Sequence, residues 1–370
     1  MTRKKIRQLR GFVNDYTAGL KARDLKRLFD QDATQAYAAL SRGQQVEAEP
    51  KGKIRRLLFR TRIVFLGLSY KLTPARRLLF AASIVFALLG LLGFESELRT
   101  DRFVVDFSPV WFLLSIGSLV FLLALELVDR VRVRDELEVA RQLQSDLLPS
   151  TSPRLPGYEF AHSYRTANEI GGDYYGFAGL PDGRLALMAG DASGHGMAAG
   201  LLMATANATL HAALDIDPTP KNVLSLLNRA LCRTGNKRTF MSLFYGVLEP
   251  ESGRFEYICA GHPFPLLRRA EGEILELGRG GLPLGIRLQL DWATDTVTIS
   301  AGDLLVLYSD GLAEVVGQDG DAFGYHRLKK LLRAGGAPQA VHDRILQAFD
   351  QHLGSEPLSD DLSLVVLQRL

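Results

Sequence analysis

The stretch MAGDASGHGMAAGLLM, residues 188–203, joins an apolar run typical of a strand to a second apolar run with helical spacing. Asp191 and His195 lie among glycines at this junction. An aspartate in such a place is most often a turn residue or a helix cap, and Asp191 could cap the helix that begins near Met197. The alternative is an active site in which both residues are catalytic, with His195 as a general acid or a donor to a phosphoryl oxygen. The stretch alone leaves both interpretations open.

The chain has 370 residues, more than one hydrophobic core usually supports, so we expect two or three folding units. Its net charge of +3 is small beside 44 basic and 41 acidic residues, and the basic excess is local. This pattern does not indicate a nucleic-acid-binding protein. Cys232 and Cys259 are the only cysteines and lack metal-ligand or redox spacing, so we expect neither a disulfide framework nor a cysteine zinc site.

Two apolar segments predict a membrane hairpin. Residues 78–94 and 108–125 contain no charged side chain, and each extends to roughly the 20 residues that a bilayer core requires. Basic residues flank the pair and the loop between them is acidic, so the positive-inside rule places the N-terminus and the C-terminal domain in the cytoplasm. We therefore expect a multi-pass protein of the bacterial inner membrane, with transmembrane helices over about 76–95 and 108–128. The alternative, two buried helices of a soluble core, would normally retain a polar stripe.

Composition divides the rest of the chain. Residues 1–70 form a helical, basic region without a recognisable site, although its basic end could contact membrane lipid. Residues 71–130 hold the hairpin, and residues 131–152 read as a helical linker with one apolar stripe. The stripe spans under three heptads, which leaves a homodimer through residues 131–148 open.

Residues 153–370 alternate strands and helices. Consecutive hairpin strands and paired helices favour an α+β fold with antiparallel sheets over a doubly wound parallel sheet. Strands are predicted over 158–164, 184–190, 240–249, 255–259, 303–308 and 362–367, and helices over 198–214, 221–234, 325–332 and 339–353.

Four aspartates lie at comparable places, most of them beside an apolar strand: Asp173, Asp191, Asp310 and Asp360. If the strand ends converge, the carboxylates repel one another unless cations neutralise them. Ligand sets made only of oxygen suit Mg²⁺ or Mn²⁺, and two such ions can activate a water for in-line displacement at phosphorus. For each aspartate alone a turn or cap is the commoner explanation, and Asp310 could serve the turn SDGLAE. For His262, in AGHPFPLL, we expect a structural hydrogen bond.

In order along the chain, ARQLQSDLLP, EIGGDYYG, GDASGHGMAAGLLMA, GDLLVLYSDGLAEV and DDLSLVVL resemble the SpoIIE/RsbU-like branch of the metal-dependent PPM-type (protein phosphatase 2C-like) serine/threonine phosphatases. The resemblance covers residues 140–367 and implies a four-layer αββα sandwich that binds two divalent cations, Mn²⁺ or Mg²⁺. By motif, Asp191 resembles the aspartate that bridges both metals, and the Ala192 carbonyl a further ligand. Asp173 resembles the carboxylate of the second metal, and Asp310 and Asp360 resemble ligands of the first.

The resemblance further implies a phosphorylated STAS-type protein, an anti-sigma-factor antagonist, as substrate and partner, and control through the helical linker. The chain departs from the family pattern at Gly176, where an acid is common, so that one carboxylate near the site is expected to be lost. It also departs at Ser363, which replaces threonine. Arg165 is the candidate for a phosphate contact. The alternative function is a catalytically weak, membrane-bound module that binds its partner on the same fold without turnover.

Overall fold

The computed structural model describes residues 52–92, 107–194, 196–234, 239–317 and 320–370. His195, most of the basic N-terminal region and the loop between the apolar segments lie outside these ranges, so the predictions made for them stay predictions. The chain divides into two compact units, residues 1–131 and 132–370.

The first unit contains long helices that pack through apolar and polar contacts. They are α1 (Lys53–Lys71), α2 (Pro74–Leu91) and α3 (Ser108–Asp146), the last of which continues into the second unit. The carbonyl of Ser83, halfway along α2, accepts a 2.8 Å hydrogen bond from the Ser115 hydroxyl of α3. At the start of α2, the Arg76 guanidinium contacts Glu126 at 2.9 Å and Asp129 at 2.6 Å. α2 and the first part of α3 therefore form an antiparallel hairpin, and both are long and apolar enough to cross a membrane.

Helix α3 has no break where the sequence predicts a boundary between transmembrane helix and linker. It runs without interruption from Ser108 to Asp146 and includes the charged residues from Glu126 onward. No glycine or proline occurs between Gly117 and Asp146, so nothing interrupts the i to i−4 hydrogen bonds of the helix. The apolar and the charged parts of α3 suit different environments, but the helical backbone continues unchanged from one part to the other.

The second unit contains two antiparallel sheets of five strands each, in the orders β1-β10-β9-β6-β7 and β2-β3-β4-β5-β8. The strands are β1 (Tyr158–Arg165), β2 (Asp173–Gly179), β3 (Leu185–Ala192), β4 (Met241–Leu248), β5 (Arg254–Ala260), β6 (Leu266–Arg268), β7 (Ile274–Glu276), β8 (Asp295–Thr298), β9 (Leu304–Tyr308) and β10 (Leu362–Arg369). The helices are α4 (Met197–Ile216), α5 (Pro220–Thr234), α6 (Asp310–Glu314), α7 (Tyr325–Arg333) and α8 (Pro338–Leu353).

Three buried clusters show that these elements form four layers. One joins α4 and α5 to the sheet that contains β3, the second fills the space between the two sheets, and the third joins α7 and α8 to the sheet that contains β9. Members of the three clusters in turn are Met188 with Leu210, Leu187 with Leu305, and Val306 with Ile345. The predicted αββα sandwich is confirmed. Helix α4 also has the length and apolar composition of a membrane span, but its apolar side chains pack on the sheet.

Candidate metal centre

Three of the four predicted carboxylates lie together at the end of the sandwich. Asp173 begins β2 and stands directly opposite Asp191 of the neighbouring strand β3, so their side chains share one face. Asp310 begins α6, two residues after β9 ends at Tyr308 in the other sheet. One carboxylate oxygen from each of the three residues lies within 4.8 Å of the others.

Asp173 is buried and the other two carboxylates of this cluster are half-buried, without a compensating cation among the described residues. Burial raises the pKa of Asp173 well above its usual value, and the charge of Asp191 adds to this. Burial and the charge of Asp310 raise the pKa of Asp191 to about 8, and burial raises the pKa of Asp310. Within the ranges that the structure describes, no lysine or arginine pairs with any of them, and Oδ2 of Asp173 is buried without a hydrogen-bond partner. Such a set fits hard divalent cations, which would neutralise the repulsion and satisfy the orphaned oxygen.

A backbone oxygen faces the same space. A Cβ placed on Gly172 would lie 2.8 Å from the Ala192 carbonyl oxygen and 2.8 Å from Oδ1 of Asp191. The two oxygens therefore approach one point beside Gly172, where the chain carries no side chain. This placement supports the Ala192 carbonyl as an additional ligand.

A family model described as Stage II sporulation protein E (SpoIIE) matches residues 181–370. The chain belongs to the SpoIIE family. It is 26% identical to Protein IcfG of Synechocystis over 276 residues, which cover 67% of this chain and 43% of IcfG. It is also 26% identical to phosphoserine phosphatase RsbU of Bacillus subtilis over 244 residues, 64% of this chain and 71% of RsbU. The chain thus spans less than half of the length of IcfG.

Among solved structures, the SiaA-PP2C domain of Pseudomonas aeruginosa superposes with a TM-score of 0.58 at 20% identity, over 65% of this chain and 98% of that domain. This similarity shows the fold. The second unit of this SpoIIE-family chain thus has the fold of PPM-type phosphatase domains.

The fourth predicted carboxylate of the SpoIIE motif set lies nearby and outside the cluster of three. Asp360 is exposed, and its Oδ1 accepts a 2.8 Å hydrogen bond from the N–H of Asp361. Its charge is close enough to contribute, after burial, to the raised pKa values of Asp191 and Asp310. Its role as a ligand stays a prediction.

Asp361, which sequence reasoning overlooked, holds the loop that leads to Asp173. It is 5% exposed, and its carboxylate accepts hydrogen bonds from the N–H groups of Ala167 at 2.8 Å and Gly172 at 2.5 Å. Because these bonds join residues far apart in the chain, they tie β10 to the glycine loop. The signal in the sequence that could have identified Asp361 is the second aspartate of DDLSLVVL.

Gln144 was also overlooked, and it connects the end of α3 to the same loop. Its Oε1 accepts a 2.9 Å hydrogen bond from the N–H of Gly171, and its Nε2 donates to the carbonyl oxygen of Gly171. The side chain is buried and thus holds both backbone groups of the residue two positions before Asp173. The motif ARQLQSDLLP contained this glutamine without indicating its partner.

Gly176 does not remove a carboxylate from the cluster. A Cβ there would lie 3.2 Å from the Met188 sulfur and 3.2 Å from the Tyr174 hydroxyl, both members of the cluster between sheet and helices. Asp173 stands an odd number of residues away in the same strand, so its side chain points to the opposite face. An acid at position 176 would therefore extend away from Asp173, contrary to the expectation of a carboxylate lost from the site.

The remaining candidates have mixed outcomes. The cap interpretation of Asp191 is wrong, because Gly196 is the N-cap of α4 and no side chain caps that helix. The guanidinium of Arg165 donates to the Asp350 carboxylate of α8, which leaves its phosphate contact a prediction. The structural hydrogen bond of His262 is confirmed, since its Nδ1 lies 3.0 Å from the Ser242 hydroxyl. Burial lowers the pKa of His262 to about 3, so its imidazole is neutral near pH 7.

Proposed function

We propose that this chain is a membrane-anchored, metal-dependent serine/threonine phosphatase that acts on a phosphorylated STAS-type protein, an anti-sigma-factor antagonist. The observation that carries the proposal is the cluster of Asp173, Asp191 and Asp310, one buried and two half-buried carboxylates that no cation of the described chain neutralises. Support also comes from the similarity to RsbU, which is named a phosphoserine phosphatase. We further propose that the hairpin of α2 and α3 anchors the chain in the bacterial inner membrane.

In this proposal, Asp191 and the Ala192 carbonyl would help to hold two divalent cations, Mn²⁺ or Mg²⁺. Asp173 would serve as a ligand of the second cation, and Asp310 and Asp360 would serve as ligands of the first. When bound, the cations would supply an activated water and neutralise charge at the phosphoryl group. Gly172 keeps the approach to these oxygens free of a side chain.

Other residues of the chain would position the substrate and the ligands. The His195 imidazole is proposed to hold the proton that the departing serine or threonine oxygen receives. Asp361 fixes the backbone N–H of Gly172 and so the start of β2. Gln144 fixes Gly171 from the end of α3, which supports the proposal that the linker controls the geometry of the site.

Phosphate release by the full chain in detergent micelles tests this function. The substrates are p-nitrophenyl phosphate and a phosphoserine-containing STAS protein, each with Mn²⁺ and with EDTA. We expect turnover only with the metal, and a loss of more than about 100-fold in Asp191→Asn, since even outer-shell changes at metal sites cost 10- to 100-fold. The matched control is Asp291→Asn, which changes an aspartate that is 92% exposed.

A folded chain that binds the STAS protein without releasing phosphate at any metal concentration would favour the partner-binding module instead. Full activity in folded Asp191→Asn would contradict the metal assignment. Membrane anchoring is tested separately, by extraction of the membrane fraction at alkaline pH. Release of the chain into the soluble fraction would refute the anchor and leave the phosphatase proposal standing.

A further inference from the structure

A cavity of about 480 Å³ adjoins the carboxylate cluster. Asp310 belongs to both, so a substrate whose phosphoryl group lies at the cluster would place a neighbouring residue at the cavity. The volume is large enough for a long side chain. His262 also contributes to the lining, and its Nε2 is buried without a hydrogen-bond partner among the residues described.

Helix α7 supplies one wall of the cavity. Tyr325 and Lys329 are four residues apart and therefore lie on the same face of this helix. Tyr325 is 44% exposed, and its ring stands 6.1 Å from that of Tyr308. The wall thus combines an accessible aromatic surface with one ammonium group.

Two glutamates add acidic groups to the lining of the cavity. Glu276, the last residue of β7, forms an ion pair with the Lys329 ammonium, and Glu314 at the end of α6 is exposed. If Asp310 is committed to the metal centre, Lys329 and Glu276 neutralise each other and the charge of Glu314 remains. The cavity then carries one net negative charge, which favours a cationic group and disfavours an anionic one.

We propose that this cavity binds a lysine or arginine side chain that flanks the phosphorylated residue of the substrate. The aliphatic stem and the charge of such a side chain match the Tyr325 ring, and the charged end matches Glu314 and Glu276. The proposal rests on the phosphatase function proposed above and adds a preference for basic sequence next to the phosphoserine.

The test compares two phosphoserine peptides that differ only at the flanking positions, arginine in one and glutamate in the other. KM and kcat are measured for the full chain with Mn²⁺, and p-nitrophenyl phosphate, which has no flanking residue, reports on the metal centre alone. We expect KM to be lower for the arginine peptide by about fivefold, as exposed charge pairs allow.

Two variants should shift this ratio in opposite directions. Glu276→Gln leaves the Lys329 ammonium unpaired and should bring the two KM values together, whereas Lys329→Gln leaves the Glu276 carboxylate unpaired and should separate them further. Neither residue belongs to the carboxylate cluster, so turnover of p-nitrophenyl phosphate should be unchanged in both. Glu273→Gln is the matched control, because Glu273 is exposed near Glu276 and does not line the cavity.

Equal KM values for the two peptides in the unaltered chain, or a KM ratio that both variants leave unchanged, would overturn the cavity proposal. Continued turnover of p-nitrophenyl phosphate would then leave the phosphatase function supported. If no substrate is hydrolysed, the phosphatase function fails instead. Fluorescence anisotropy in EDTA then measures how tightly each unphosphorylated peptide binds, independently of the metal centre. Tighter binding of the arginine peptide, weakened in Glu276→Gln, would support the cavity assignment, and equal binding would refute it.

Discussion

Strand β9 has a buried or half-buried aspartate beyond each end, and the two differ in what surrounds them. Asp303, just before the strand, is 1% exposed and accepts hydrogen bonds from the Arg269 guanidinium at 2.7 Å and from the N–H groups of Ala270 and Ser300 at 2.9 Å each. Asp310, just after the strand, accepts one from the N–H of Gly311 and faces other carboxylates. Burial of an aspartate therefore does not by itself mark a site. The candidate centre differs from Asp303 because several carboxylates face one another there and no lysine or arginine of the described residues pairs with them.

The largest test of this contrast is the pH dependence of the metal-free chain. The raised pKa values of Asp173, Asp191 and Asp310 mean that the folded state holds protons that the unfolded state has released above about pH 4. The free energy of unfolding should thus fall as pH rises from about 5 to about 8, by as much as ~1.4 kcal/mol per pH unit for each proton. Urea unfolding followed by tryptophan fluorescence measures this in EDTA. Saturating Mn²⁺ should abolish the dependence, and an equal slope with and without the metal would contradict the cation site.

At the other end of β9, Asp303→Asn should lower the free energy of unfolding by about 3 kcal/mol, because it leaves the Arg269 guanidinium without its buried partner. The same urea titration measures the loss. Turnover per folded molecule should be unchanged, since Asp303 lies at the opposite end of the strand from the cluster. A loss of turnover larger than the loss of folded protein would show that Asp303 is not purely structural.

Asp191→Asn should have the opposite sign in the metal-free chain. It removes one of the mutually repelling carboxylates, so the free energy of unfolding at pH 8 should rise by about 1 kcal/mol. Added Mn²⁺ should then stabilise this variant much less than the unaltered chain. Thermal unfolding with EDTA and with Mn²⁺ gives both values. If the metal-free variant were less stable than the unaltered chain and Mn²⁺ stabilised it normally, Asp191 would neither repel the other carboxylates nor bind the cations.

A smaller effect is expected from the connection between α3 and the site. Gln144→Ala removes the hydrogen bonds to both backbone groups of Gly171, which should reduce kcat and the apparent affinity for Mn²⁺ by a few-fold, at about 1 kcal/mol for a hydrogen-bonding side chain. Gln142→Ala is the control, because Gln142 is exposed and donates a hydrogen bond to the nearby Asp146, away from the glycine loop. If kcat and the apparent affinity for Mn²⁺ were equal in the two variants, the contact from α3 would have no influence on the metal centre.

The sequence allowed the main layers of the sandwich to be predicted, because long apolar runs and amphipathic helices carry a strong local signal. All six predicted strands and four predicted helices of the second unit are present within a few residues. Strand β2 was missed because DYYGFAG contains two glycines and shows no alternation of apolar and polar residues to detect. Strands β6, β7 and β8 have three or four residues each, too few for periodicity.

Within the candidate centre, the chemistry of the residue types predicted the carboxylates, and the fold brought three of them together. Gln144 and Asp361 could not be assigned this way, because each acts on a glycine loop distant in sequence and no local pattern names that partner. The continuity of α3 was also hidden, since its composition changes where its backbone does not. Local pattern thus predicts elements and ligand types, whereas positioning contacts depend on the tertiary arrangement.

Gly172 has a consequence for which mutations the chain tolerates. Any other residue would place its Cβ 2.8 Å from both the Ala192 carbonyl oxygen and Oδ1 of Asp191, closer than real Cβ atoms approach. Gly179, at the far end of β2, the strand that begins just after Gly172, would meet nothing within 4 Å. In a library of random single substitutions selected for phosphatase activity, codon 172 should remain glycine while codon 179 accepts alanine, and sequencing the survivors reads out this difference. Equal tolerance at both codons would mean that the loop can withdraw from the site.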